Sequence, residues 1–173
     1  MRERLSPPST GNWISIALRP RTTARRLRKT NATPGLHLCL SAAEAAYQET
    51  LTLHRQLAQT NPTATLPDLA TTLNNLAVVA LAQSRLQHAA EWIREAVAIR
   101  RTLWQHDPAT YGDVLAQSLA IEAVLLHETG AEPPAVCIRL HEAIRVVSHV
   151  RLTYFAHQSL RAWCGDTVHQ EQR

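Results

Sequence analysis

Cys137 and His141 stand four residues apart, the spacing that brings two side chains to one face of a helix. A thiolate and an imidazole placed in this way make half of a tetrahedral zinc site. The other candidates, His149, His157, Cys164 and His169, supply no second pair at a ligand spacing. The expectation is therefore no metal, with surface histidines and a packed thiol instead. Catalytic groups are equally sparse. His141-Glu142 lacks the second histidine that a helical zinc-protease site requires. The sequence has no glycine-rich loop to cradle a phosphate and no serine in a nucleophile elbow. Glu91, Glu95 and Glu128 are scattered and read as solvated helix faces. These residues predict a chain that is not an enzyme and carries no cofactor. What remains is suited to holding other macromolecules: the adjacent amides of Asn74 and Asn75, and a cluster of arginines near the N-terminus.

The arginine cluster comprises Arg2, Arg4, Arg19, Arg21, Arg25, Arg26 and Arg28, joined by Lys29, against Glu3 alone. Residues 1–38 thus carry +7, and the rest of the chain −3 of the formal total of +4. Pro7, Pro8, Gly11, Pro20, Pro34 and Gly35 interrupt the segment, so it reads as a disordered basic tail. Its arginines suit weak, sequence-blind contact with nucleic-acid phosphates. Trp13 is its one aromatic, too few for specific stacking on single strands. A transit peptide or a leader ahead of the true start would have a similar composition.

The elements that would position these groups are helices. Of 173 residues 45% are hydrophobic and only 5% aromatic, so Ala and Leu carry the apolar content. Both are strong helix formers, and five glycines are too few for an all-β chain dense in turns. Three widely spaced cysteines imply no disulfide framework and suit a reducing cytosol, hence a cytoplasmic protein. No apolar run approaches a membrane span of about 20 residues, and no membrane partner is expected. Leu40–Gln59 has apolar residues at helical spacing, with Ser41 and Glu44 in a capping-box pattern and Pro62 as its stop. Pro67–Gln83 follows, with Pro67 in its first turn, then a break at Ser84-Arg85 and a helix over Leu86–Trp104.

The pattern then recurs. Leu53, Leu57 and Pro62 match Ile99, Leu103 and Pro108 at an offset of 46. Leu69, Ala70, Leu73 and Ala77 match Leu115, Ala116, Leu119 and Ala123, and Ser84 matches Gly130. After Pro133-Pro134 the offset is 47, and Glu95-Ala96-Val97 matches Glu142-Ala143-Ile144. Such a period, two helices per unit, predicts a short α-solenoid of antiparallel hairpins over residues 39–149. Residues 150–173, with Leu152, Tyr154, Phe155, Leu160 and Trp163 before a polar end, read as a capping helix. A partner-binding helix left exposed is the alternative.

The recurring positions resemble the tetratricopeptide repeat. Leu73, Leu76, Ala77 and Ala80 on the first helix face Ala89, Ile93 and Ala96 on the second, with Ala77 and Ala89 where that family places its small residues. Thr72-Leu73-Asn74-Asn75-Leu76-Ala77-Val78 is similar to the repeats of kinesin light chains and of long-repeat actinobacterial proteins. Glu122 departs from this pattern where a leucine is expected, and the first unit lacks its leading helix. The resemblance implies a scaffold for protein–protein interaction whose concave groove takes a peptide from a protein partner. The groove positions it implies are Thr71, Asn74, Asn75, Val78 and Leu81, with Gln117, Ala120, Val124 and His127 one unit later. For Asn74 and Asn75 two readings stand: amides that hold a peptide backbone, or amides solvated or bonded to a neighbouring helix. Trp92 and Trp104 are read as packing residues. Oligomeric state is not readable from the sequence.

Overall fold

A computed structural model describes residues 34–147 and 150–164. They form six helices: α1 (Pro34–Thr60), α2 (Pro62–Ala82), α3 (Leu86–His106), α4 (Pro108–Glu128), α5 (Pro133–Val146) and α6 (Val150–Cys164). Among the described residues there is no strand. Each helix packs against the next, and α4 also touches α2 and α6, the arrangement of a short helical solenoid. Most of the basic N-terminal segment lies outside the described residues.

The helices start earlier than their sequence patterns suggest. Residues 34–38, expected in the tail, belong to α1, so Ser41 lies inside that helix rather than at its start. Asn61 alone separates α1 from α2, and Asp107 alone separates α3 from α4. The Asn61 side chain accepts a hydrogen bond from the Ala64 N–H at 3.4 Å, and Asp107 accepts one from Thr110 N–H at 3.1 Å. Each cap is followed by a proline, which needs no N–H partner in a first turn. Pro62 and Pro108 therefore open helices as well as ending the ones before them. Pro67, expected in the first turn, sits inside α2, where its missing N–H leaves the exposed Thr63 without a helical bond to its carbonyl.

The central core joins Ala77 and Ala80 of α2, Ala89, Ile93 and Val97 of α3, and Leu115, Ala116 and Leu119 of α4. Alanines at the crossings let the helices approach closely, and the leucines and isoleucine fill the remaining space. Full burial of each large side chain contributes about 1.5–3 kcal/mol. A second cluster unites α1 with α2 and α3 through Leu51, Leu69, Leu73, Leu76 and Ala96. A third, under α6, comprises Ala123, Val136, Leu140, Leu160 and Cys164. Trp92 packs between the first two, and Trp104 against the central core. Leu53 and Leu57 on the outer side of α1 are exposed, whereas Ile99 and Leu103, one period later, are half-buried. By length and composition α4 could span a membrane, contrary to the sequence expectation. Over half of it is buried in the protein, however, because it is the helix around which α3 and α5 pack.

Both hairpin turns use left-handed backbone, Gly130 at φ 75° and Ser84 at φ 60°. Glycine adopts this conformation freely, whereas a serine Cβ crowds the following carbonyl. Ser84→Gly is expected to raise stability by about 0.5–1 kcal/mol, read from a thermal melt. Gly112 marks a different constraint. A Cβ there would lie 2.5 Å from the Val146 carbonyl oxygen, so the start of α4 touches the end of α5 backbone to backbone. Gly112→Ala should cost about 1–3 kcal/mol in chemical denaturation, because that oxygen cannot swing aside.

Candidate protein-binding face

The outer face of α2 is set by helical period. Thr71 is exposed, Asn75 and Val78 are half-buried, and Ala82 is exposed, all within one stripe. Leu81 is half-buried beside them and packs, like Val78, on the central core. The Thr71 hydroxyl donates to the Pro67 carbonyl at 2.9 Å, which steadies its rotamer. On α4, Gln117 is half-buried. These residues offer uncharged hydroxyl, amide and aliphatic groups on a packed base.

Four of the expected groove positions lie elsewhere. Asn74 is 3% exposed, pointing between helices rather than outward. Its Oδ1 accepts from Arg100 Nη1 at 3.1 Å and from the Ser118 hydroxyl at 2.8 Å. Arg100 Nη1 also reaches the Ser118 hydroxyl at 2.6 Å and the Val114 carbonyl at 2.7 Å. The amide is thus used within the fold, linking α2, α3 and α4. Val124 is buried, as is Ala120. His127 is half-buried, and the ring of Trp163 on α6 stacks on it with centroids 4.4 Å apart and planes 10° from parallel.

Sequence reasoning missed the arginine at the centre of this network. Its signal was present, because Arg100 falls in the inward stripe of α3 with Ile93, Val97 and Trp104. A cation there needs partners. Burial pulls its pKa down to about 10, and it is held by neutral oxygens.

Several groups read as solvated or free are paired. Glu95, read as solvated, accepts from Arg55 at 2.6 Å, and Glu44, read as a capping-box partner of Ser41, accepts from Arg85 instead. The Cys137 sulfur is joined to Cys164 in a disulfide, with Cα atoms 5.9 Å apart, which corrects the expectation of free thiols and removes Cys137 as a thiolate ligand. Cys39 is free and exposed. Among the described residues no three candidate ligands come together at a metal spacing.

A charged cluster ties α3, α4 and α5. Arg101 donates to both oxygens of Glu142, at 2.8 and 2.7 Å. Arg139 Nη1 lies 3.3 Å from Glu142 Oε2. Its Nε lies 2.8 Å from Glu122 Oε2, an ion pair whose angle falls short of a hydrogen bond. Glu122, which stands where the repeat expects leucine, is accommodated by this pairing. Burial alone would raise the Glu142 carboxyl, but the bond and charge of Arg101 and the charges of Arg139 and Arg145 hold it below its ordinary value. For Glu122 burial outweighs Arg139 and Arg101, and its carboxyl is pushed up.

The two act oppositely on acid stability. Glu142 supports the fold above the usual carboxylate pKa of 4.5, and that support is lost as pH falls through its lower folded value. Glu122 takes up its proton earlier in the folded state than in the unfolded one, so acid relieves it. Denaturant midpoints followed from about pH 6 to about pH 3 should fall less steeply for Glu142→Gln than for the parent, and more steeply for Glu122→Gln.

Comparison with known proteins adds one match. No curated protein and no solved structure matches the chain. Residues 69–103, from the middle of α2 to near the end of α3, match the family model described as tetratricopeptide repeat, which supports a tetratricopeptide-repeat family for this helical stack.

Proposed function

We propose that the chain is a protein–protein interaction module that holds a peptide segment of a partner on the face formed by Thr71, Asn75, Val78, Leu81 and Gln117. The observation that carries this reading is the uncharged, hydrogen-bonding stripe of α2, open to solvent along Thr71 and Asn75 and set on rigidly packed helices. Repeats of this family mediate binding to protein partners, and stacked hairpins present extended concave surfaces suited to it. An amide such as Asn75 both donates to and accepts from a peptide backbone, so it grips a segment without reading its side chains. The reading involves no catalytic step and a cytoplasmic setting. Thr72–Val78, with its paired asparagines, supports the subgroup typified by kinesin light chains and long actinobacterial repeats. The arginines ahead of Pro34 favour a second role, salt-dependent contact with nucleic-acid phosphates, which would be lost on deleting residues 1–33.

The test uses the full chain as bait for a random peptide library. Selected peptides should bind about tenfold more weakly to Asn75→Ala and to Gln117→Ala, with melting temperatures unchanged. Asn74→Ala should behave differently, losing about 1–3 kcal/mol of stability because a buried cation loses an acceptor. Peptides indifferent to both Asn75 and Gln117 would refute the proposed face.

A further inference from the structure

Beyond the proposed face, the C-terminal end of α4 lies beneath α6. Trp163 covers His127, and Leu160 and Cys164 close over Ala123, Val136 and Leu140. The opposite side of the helix is polar, with His157, Gln158 and Arg161 exposed. A helix of 15 residues is marginal by itself. Among its described inward residues, Leu160, the half-buried Trp163 and Cys164 pack on the third cluster.

The covalent link offsets that weakness. Cys137 lies in the first half of α5, and Cys164 is the last residue of α6. The chain enters α6 at Val150, and the bond fastens the opposite end of that helix to α5. The bond spans 27 residues of sequence, a loop long enough for its closure to matter. Cys137 keeps partial exposure, which gives an attacking thiolate a route to the sulfur. In a reducing compartment such bonds are transient and carry signals rather than permanent structure.

We infer that the Cys137–Cys164 bond is a redox latch that holds α6 over the C-terminal end of α4, and that reducing it frees α6 and uncovers His127 and Ala123. The regulatory meaning rests on the proposed peptide-binding reading; the latch itself does not. In the releasing step a thiolate of a dithiol reductant attacks one sulfur and displaces the other cysteine as thiolate. The second thiol then resolves the mixed disulfide. Two electrons pass to the protein bond, two protons end on Cys137 and Cys164, and the reductant leaves as its own disulfide.

Hydrogen exchange on the full chain tests the latch without any ligand. With dithiothreitol, and in Cys137→Ser or Cys164→Ser without it, amides of residues 157–164 should exchange at least about a hundredfold faster, while those of residues 69–103 stay protected. Trp163 should become more accessible to a fluorescence quencher. Retained protection of residues 157–164 after reduction overturns the latch. So does equal loss of protection across residues 69–103, because the bond would then hold the whole fold. Free thiols at both positions in the air-oxidised chain also overturn it. None of these results touches the peptide-library test, so the two readings fail separately.

Discussion

One guanidinium fixes the register of this helical stack. Arg100 reaches from α3 to an amide on α2 and to a hydroxyl and a carbonyl on α4. Apolar packing between alanine-rich helices is tolerant, because small side chains slide past one another with little change in contact. Hydrogen bonds from a planar donor have direction, and a shift of any one of the three helices breaks them. Burial pulls the Arg100 pKa down to about 10, still well above neutral, so the group stays charged and must keep those oxygens close. The face that Thr71 and Asn75 present is therefore held at a defined angle to Gln117.

The fold was legible because the period was. Matching Leu69, Leu73 and Ala77 with Leu115, Leu119 and Ala123 identifies equivalent helices without reference to their ends. The ends were harder to read. Asn61-Pro62 and Asp107-Pro108 combine a cap and a first-turn proline, and they were taken only as stops. A helix that begins one residue after another ends leaves no loop to mark the boundary.

The binding face was half legible, for a geometric reason. Adjacent residues on a helix point about 100° apart, and here Asn74 turns inward while Asn75 stays on the outer stripe. Their identical chemistry hid which of them faces inward. The answer depends on Arg100 and Ser118, which lie 26 and 44 residues away from Asn74. His127 likewise depends on where Trp163 falls, and helical period within α4 does not contain that. Cysteine spacing along the chain carried no sign of the α5–α6 bond, because the pairing depends on how the last helix folds back. Glu122 looked like a defect in the repeat until Arg139 was seen opposite it.

The joints between units are nearly interchangeable. Asn61 and Asp107 cap the helices that follow them, each ahead of a proline, and Arg55 meets Glu95 as Arg101 meets Glu142. A hairpin copied in tandem after Asp107 would find both its upstream and its downstream contacts already in place. Such a chain lengthens by whole modules, with no new connection to invent, and each addition extends the stack by another turn of the same ramp.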